Sequence, residues 1–448
     1  MEVKHKLLRN LFPKVCSQVG GGTDPGMAEM AYLVMRLTNT ACGSGSIRLQ
    51  CVGLTMFTFD QVFDRRDTRS LKWTRYGRDV LPLWVADMDF PAPEPVLQAL
   101  HSAVDHGVFG YELPTRKLGE TVAARMETLY GWKISPEMVV ATPGIVAAFK
   151  AAARTVCNAG EGVLVQPPVY HPFLEVPEET GTVGQLARLQ QVNGRHTLQY
   201  EIDWAVFESA INSNGVRTGM FLLCQPHNPT GQIYTRAELE RIAEICQNEG
   251  IVVCSDEIHS ELLLGGARHI PLATLSPEIA RRTITLVSAS KTFNVVGLLC
   301  GFAIIPDPEL RSRYRKVLDH LALLANSLGL IAAEAALSGS CDSWLNALRE
   351  YLTGNRDYIA DFVARELAGV RVTVPEATYL AWLDCEELMR NGEKLPDPQR
   401  FFLRQAKVAL NRGAMFGPGG EHFMRLNFGC PRSTLAEALQ GMKSALVA

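Results

Sequence analysis

Three side chains with reactive chemistry each follow an apolar run of the sequence. Lys291 follows one run in a loop of small residues, Asp256 ends a second, and Asn228 follows a third. A lysine amine whose pKa is lowered by burial or nearby charge forms Schiff bases with carbonyl cofactors. A carboxylate that ends a buried strand needs a cation, and a protonated pyridine nitrogen is such a cation. An asparagine in a turn can donate to a phenolate oxygen.

Three further residues could bind anionic or planar groups. Gly144 lies where a predicted strand becomes a helix, and backbone amides at a helix start bind anions. Tyr170 could stack on a flat ring. Arg425 alternates with apolar residues, and its guanidinium suits a carboxylate held by two hydrogen bonds. Each of the six also has an ordinary structural explanation, so the functional hypothesis depends on their occurring together.

Strands and helices alternate through the middle of the chain. Short apolar runs that end at loops predict buried strands, and residues 238–249 have the apolar spacing of an amphipathic helix. This alternation predicts an α/β fold with a mostly parallel sheet covered by helices on both faces. Ligands of such sheets bind at the carboxyl ends of the strands, where the polar residues above are expected.

The chain divides into three regions by its patterns. Residues 1–55 contain glycine-rich stretches without recognisable chemistry, and we expect a poorly ordered N-terminal extension. Residues 104–330 are predicted to form a large cofactor-binding domain. Residues 56–103 and 331–448 are predicted to form a smaller α+β domain, because a long amphipathic helix there is followed by short strands.

Composition excludes several classes of protein. The 448 residues carry a formal net charge of −3, which argues against binding nucleic acid by bulk electrostatics. No apolar stretch reaches the ~20 residues of a membrane span. The 11 cysteines are odd in number and form no C-x-x-C pair, which favours a cytoplasmic protein without disulfides or a metal site. Basic residues near the N-terminus leave an organellar transit peptide open.

The joint order of Gly144, Tyr170, Asn228, Asp256, Lys291 and Arg425 resembles that of the fold-type I pyridoxal-phosphate enzymes, the aspartate-aminotransferase superfamily. The resemblance covers about residues 57–446. It implies pyridoxal 5'-phosphate as cofactor and a homodimer with shared active sites.

A closer resemblance is to the MalY/PatB type of cystathionine β-lyase. The strings SLKW at 70–73, WVADMDF at 84–90, GVFGY at 107–111 and DEIH at 256–259 are similar to that branch. Many aminotransferases have tyrosine where this chain has His259. Aminotransferases often place a phosphate-binding arginine eight residues after the lysine, where this chain and the MalY/PatB branch lack it; here the residue is Leu299.

The resemblance implies a role for each matching residue. Lys291 would bind the cofactor and move the substrate α-proton, and Asp256 would pair with the pyridine nitrogen. Arg425 would bind the substrate carboxylate. The remaining cofactor contacts would come from Asn228 and His259 at the ring oxygen, Tyr170 stacked on the ring, Gly144, Ile145 and Ser288 at the phosphate, and Tyr111 from the partner subunit.

The implied reaction is β-elimination of L-cystathionine or a related cysteine S-conjugate to a thiol, pyruvate and ammonia. An aminotransferase of the class I/II family would use the same cofactor residues and stays open as an alternative. A non-catalytic regulatory protein on this fold is the alternative from another class. The cysteine conjugate that the enzyme prefers stays open.

Overall fold

The computed structural model describes residues 57–447, so the predicted extension at residues 1–55 lies outside the described residues. Its strands, in chain order, are β1 Leu81–Pro82, β2 Val139–Thr142, β3 Gly162–Val165, β4 Val183–Leu186, β5 Leu189–Asn193, β6 Leu198–Ile202, β7 Thr218–Cys224, β8 Val252–Asp256, β9 Thr283–Val287, β10 Gly301–Ile304, β11 Arg371–Val372, β12 Leu380–Asp384, β13 Met389–Arg390, β14 Glu393–Lys394, β15 Val408–Ala409, β16 Asn411–Arg412 and β17 Phe423–Asn427.

The α-helices are α1 Leu71–Thr74, α2 Glu94–His106, α3 Arg116–Tyr130, α4 Ile145–Val156, α5 His171–Thr180, α6 Trp204–Ala210, α7 Arg236–Asn248, α8 Pro277–Ala280, α9 Ala289–Thr292, α10 Pro308–His320, α11 Ser327–Leu337, α12 Asp342–Glu366, α13 Pro398–Phe401 and α14 Arg432–Val447. Shorter helical turns are Pro136–Met138, Ser213–Gly215, Leu272–Thr274, Val296–Leu298, Phe402–Ala406 and Gly413–Phe416.

A seven-stranded sheet has the order β2-β10-β9-β8-β7-β3-β4. All neighbouring pairs are parallel except those of β10, which runs antiparallel to both β2 and β9. Strands β7 and β9 are buried along their whole length, as expected for strands covered on both faces. The predicted α/β fold with a mostly parallel sheet is confirmed.

Helices cover both faces of this sheet. Along β7, Met220 and Leu222 pack into one apolar cluster with α4, α5 and α10, whereas Phe221 and Leu223 pack into another with α6 and α7. The alternation follows from the two-residue period of a strand. Helix α7 begins with a capping box between Thr235 and Glu238, which satisfies backbone amides that the helix start would otherwise leave without partners.

A four-stranded antiparallel sheet, in the order β11-β12-β17-β16, lies in the C-terminal part of the chain. Helices α12 and α14 share an apolar cluster with it through Leu352, Leu383 and Leu439. This agrees with the predicted α+β character of the region. The predicted domain boundaries after residues 103 and 330 fall inside α2 and α11, so continuous helices cross both positions.

Residues 57–447 contain neither a membrane-spanning helix nor a metal-binding cluster. None of the helices described there is long and apolar enough to cross a membrane. The same residues contain no group of three or more histidine, cysteine, aspartate or glutamate side chains arranged to hold a metal ion.

Candidate active site

A cavity of about 320 Å³ opens at the carboxyl ends of the central strands. Eight of the ten residues expected at a cofactor or substrate site line this cavity. The other two, Ser288 and Tyr111, do not. The residues that line this cavity include Trp84, Ala86, Gly144, Ile145, Tyr170, His171, Cys224, Asn228, Asp256, His259, Ser290, Lys291, Leu299 and Arg425.

Lys291 lies on the short helix α9, which directly follows the buried strand β9. Its amine donates a hydrogen bond of 2.7 Å to the carbonyl oxygen of Ala86. Burial, and then the nearby charge of Arg425, lower the pKa of Lys291 from 10.5 to about 8. About a tenth of the amine is therefore uncharged at pH 7, far more than for a lysine of ordinary pKa, and this uncharged form is the one that acts as a nucleophile or base.

Asp256 is the last residue of β8 and is only 5% exposed. Its side chain accepts a hydrogen bond of 3.1 Å from the backbone amide of Ile258. No lysine or arginine among the described residues forms an ion pair with it. Burial therefore raises the pKa of Asp256 from 3.8 to about 7. Such a carboxyl group would be stabilised as an anion by any cation that binds in the cavity.

Arg425 lies in β17, a strand of the four-stranded sheet, and it lines the cavity. It is 3% exposed, and it donates to the side-chain oxygens of Asn228 at 3.0 Å and Asn411 at 2.7 Å. Its Nε has no hydrogen-bond partner, and no carboxylate of the described residues pairs with it. Burial lowers the pKa of Arg425 to about 10, so the guanidinium stays charged and can bind an anion.

Helix α4 points its first turn at the cavity. Gly144 precedes it with φ of 114°, a conformation that favours glycine, and a Cβ there would meet no atom within 4 Å. The first amides of an α-helix lack intrahelical partners, and Ile145 begins this helix at the cavity wall. The open helix start is thus suited to an anionic group.

Two aromatic side chains complete the walls. Tyr170 lines the cavity beside His171, with their ring centroids 5.0 Å apart. His259 is 2% exposed, and its Nδ1 has no hydrogen-bond partner. Burial, and then the charges of Lys291 and Arg425, lower the pKa of His259 to about 3, so its ring is neutral at working pH.

Ser288 is not among the lining residues, and neither is Tyr111, which is expected to come from the partner subunit. The hydroxyl of Ser288 donates to the carbonyl oxygen of Cys300 at 2.7 Å and accepts from the amide of Ser290 at 3.0 Å. Ser288 therefore caps the lysine helix, and Ser290 borders the cavity instead. The side chain of Tyr111 is 100% exposed in this single chain.

The WVADMDF segment (residues 84–90) has a structural role that its sequence does not reveal. The carbonyl of Ala86 accepts from Lys291, and also from the hydroxyl of Tyr379 at 2.9 Å. Asp89, near the end of the segment, accepts hydrogen bonds from the buried amine of Lys72 at 2.7 Å and the indole of Trp73 at 2.8 Å. Residues of the SLKW and WVADMDF strings therefore form one buried network of hydrogen bonds. The resemblance of these strings to a family did not predict this contact.

Comparisons with known proteins agree with this geometry. The profile of the family described as aminotransferase class I and II matches residues 78–442. Cystathionine β-lyase PatB of Bacillus subtilis (strain 168) is 38% identical over 403 residues, which are 87% of this chain and 99% of that protein. The crystal structure of OvoB is 40% identical with a TM-score of 0.80, over 88% of this chain and 100% of that one. Cystalysin from Treponema denticola, whose structure contains a pyridoxal 5'-phosphate cofactor, is 29% identical with a TM-score of 0.81, over 88% and 99%.

Proposed function

Because this chain belongs to the class I and II aminotransferase family, we propose that it is a pyridoxal-phosphate-dependent carbon–sulfur β-lyase. Its substrate is L-cystathionine or a related cysteine S-conjugate, and its products are a thiol, pyruvate and ammonia. The similarity to PatB over nearly its whole length supports this reaction. The observation that carries it is the amine of Lys291, with a pKa of about 8, in one cavity with the unpaired carboxyl group of Asp256.

The residues of the cavity fit the cofactor. Asp256 is a buried carboxyl group that lacks a cation, which the pyridine nitrogen supplies. The start of α4 after Gly144 offers amides for the phosphate. Asn228 and His259 have polar atoms for the ring oxygen, and Lys291 supplies the amine.

Each group of the chain then has a chemical task. Pyridoxal phosphate, when bound, supplies an electron-withdrawing ring that accepts the negative charge left by removal of the α-proton. The uncharged amine of Lys291 accepts this proton at Nζ. Arg425 holds the substrate carboxylate, and Asp256 keeps the ring nitrogen protonated. The bond between Cβ and sulfur breaks with its electron pair on sulfur, the thiolate takes up a proton, and water converts the remaining three-carbon fragment to pyruvate and ammonia.

The protein works as a homodimer with active sites shared between subunits, in the cytoplasm. Residues 107–114 are exposed in the single chain, and Val108, Phe109 and Leu113 among them are large apolar side chains. Exposed apolar side chains in one stretch are typical of a surface that another chain covers. The free cysteines of the described residues agree with a reducing compartment.

The test is an incubation of the purified protein and pyridoxal phosphate with L-cystathionine in the absence of any keto acid. We expect pyruvate and a free thiol to appear in equal amounts. The Lys291→Ala variant should release neither, whereas Lys150→Ala, which removes an amine paired with Glu179 outside the cavity, should match the wild type. Amino transfer only after addition of a keto acid would instead establish the aminotransferase alternative.

A further inference from the structure

Lys291 and Arg425 both contact the WVADMDF segment (residues 84–90). Lys291 donates from its amine to the carbonyl of Ala86 at 2.7 Å, and Arg425 donates from Nη2 to the carbonyl of Trp84 at 3.1 Å. Lys291 follows a strand of the seven-stranded sheet, whereas Arg425 lies in a strand of the four-stranded sheet. The WVADMDF segment therefore accepts hydrogen bonds from both Lys291 and Arg425, although the strands that position these two residues belong to different sheets.

Asn294 ties the lysine loop to this segment. It lies three residues after Lys291, and its Nδ2 donates to the carbonyls of Met88 at 2.9 Å and Phe90 at 2.6 Å. Its Oδ1 accepts from the backbone amide of Met88 at 3.0 Å. The backbone of Asn294 has φ of 55°, the left-handed conformation in which asparagine and glycine are the most common residues.

Asn427 ties the arginine strand to the same segment. It lies two residues after Arg425, it is fully buried, and its Nδ2 donates to the carbonyls of Val85 at 2.6 Å and Asp87 at 2.7 Å. Its Oδ1 accepts from the amide of Gly429 at 2.8 Å. The two bonded carbonyls lie on either side of the carbonyl that accepts from the lysine amine.

The chemistry of the amide group explains why asparagine stands at both positions. The segment forms no strand, so its carbonyls have no ladder partner and need other donors. One amide NH₂ can donate to two carbonyls at once, which a carboxylate cannot do. Asn294 and Asn427 together satisfy four carbonyls of a seven-residue segment.

We propose that Asn294 and Asn427 are positioning residues, which hold Lys291 and Arg425 at a defined separation by tying both to the WVADMDF segment. The inference rests on the proposed function, because that separation matters only if Lys291 binds the cofactor and Arg425 binds the substrate carboxylate. A displacement of about 1 Å between reacting groups can lower a rate by ~10²-fold.

The experiment compares Asn294→Gly with the matched control Asn212→Gly. Asn212 also has a left-handed backbone, with φ of 52°, and its side chain makes two hydrogen bonds of 2.9 Å, to Thr218 and Glu249, against three for Asn294. It contacts the first residue of β7, at the end of the sheet opposite to the cavity. Glycine is compatible with both backbones, so each variant loses side-chain hydrogen bonds without added strain.

The first measurement is the rate at which pyridoxal phosphate attaches to the cofactor-free protein as a function of pH. Attachment requires the uncharged amine, so the midpoint reports the pKa of Lys291. Burial lowers this pKa to about 8. A loosened segment admits water, and we expect the midpoint of Asn294→Gly to move from about 8 toward 10.5. The midpoint of Asn212→Gly should equal that of the wild type.

The second measurement separates kcat from KM for L-cystathionine. We expect Asn294→Gly to lower kcat by roughly 10- to 100-fold with a smaller change in KM, because it displaces the lysine. Asn427→Ala should mainly raise KM, because it displaces the arginine. If Asn294 had only a structural role, both glycine variants would lose thermal stability, but the midpoint pH of cofactor attachment, kcat and KM would stay unchanged.

Equal midpoints and equal kcat in Asn294→Gly and Asn212→Gly would overturn the proposal. If Asn294→Gly does not fold, Asn294→Asp keeps the acceptor for Met88 and loses only the donors, and the same outcomes apply to it. Failure of the wild-type protein to attach pyridoxal phosphate or to release pyruvate would overturn the proposed function instead, so the two results are distinguishable.

Discussion

The guanidinium of Arg425 donates a hydrogen bond of 3.0 Å to the side-chain oxygen of Asn228. Because the oxygen of this amide faces the arginine, its amino group is left to donate toward the cavity. The backbone amide of Asn228 donates to the sulfur of Cys224 at 3.4 Å, which holds the residue at the end of β7. One asparagine thus joins the proposed carboxylate site to the proposed cofactor site.

Arg425→Lys should raise KM for L-cystathionine by roughly 10²-fold with a smaller change in kcat. An ammonium group keeps the charge but cannot form the planar pair of hydrogen bonds to a carboxylate. Initial rates of pyruvate release at varied substrate concentration measure both constants. The control is Arg371→Lys, which alters the pair with Asp384 at the edge of the same sheet. Equal KM values in the two variants would contradict the role of Arg425.

Asp256→Asn should change how the stability of the cofactor-free protein depends on pH. The pKa of Asp256 is raised by burial from 3.8 to about 7, so between these values the folded protein keeps a proton that the unfolded chain has lost. The protonated carboxyl group of Asp256 therefore stabilises the folded protein fully below pH 3.8, and this stabilisation is lost as pH rises from 3.8 through about 7. The variant should therefore become more stable than the wild type across this range, by at most about 4 kcal/mol.

Unfolding in urea at a series of pH values measures that difference. Other groups with shifted pKa values are common to both proteins, so their contributions largely cancel. Addition of pyridoxal phosphate should reverse the order of stability, because the carboxylate of the wild type then pairs with a cation. A difference that does not vary with pH would show that Asp256 is ionised in the cofactor-free protein.

Tyr111 and Lys291 should complement each other in mixed dimers. Tyr111 is fully exposed in the single chain, and we propose that it contributes to the active site of the partner subunit. Tyr111→Ala and Lys291→Ala should each lose activity alone. A mixed dimer of the two has one site with both native residues, so co-refolding should restore pyruvate release. If the mixture shows only the average of the two parents, each site draws both residues from one chain.

Asp89→Asn should destabilise the folded protein strongly. Asp89 accepts from the amine of Lys72, which is only 1% exposed, so the variant leaves a buried ammonium without its nearest counter-charge. Breaking such a buried pair costs about 3–5 kcal/mol. The urea midpoint measures the loss, and Asp67→Asn, which removes the exposed partner of Arg78, should change it little. Equal effects of the two variants would contradict this account of the network.

The sequence predicted the sheet and most of the cavity for one physical reason. Parallel strands end at the same edge, so polar residues placed just after apolar runs must meet there. Lys291, Asp256 and Asn228 all follow that rule. Ser288 was expected at the phosphate by resemblance, but a serine before a helix also satisfies free amides, and here its hydroxyl does so.

No pattern in the sequence predicts the contacts between segments that lie far apart along the chain. The hydrogen bonds between Asn294 and residues 88–90 cross about 200 positions of sequence, and neither side shows a periodicity that points to the other. The predicted domain boundaries after residues 103 and 330 rest on a change in helix and strand pattern along the chain, whereas α2 and α11 continue through both positions. A change in pattern does not mark a boundary by itself, because one helix can continue through the junction of two regions.

The antiparallel strand β10 has a consequence for the order in which the molecule can be assembled. Within the described sheet β2 lies at the edge and pairs only with β10, whose residues Gly301–Ile304 follow Val139–Thr142 by about 160 positions. A ribosome that adds 5–20 residues per second needs about 8–32 s to reach β10 after it has made β2. Throughout that interval β2, which leads into the helix start proposed to bind the phosphate, lacks the strand with which it pairs in the described sheet. The helix start that we propose for the phosphate therefore joins the part of the cavity that holds Lys291 only after Lys291 itself has been synthesised.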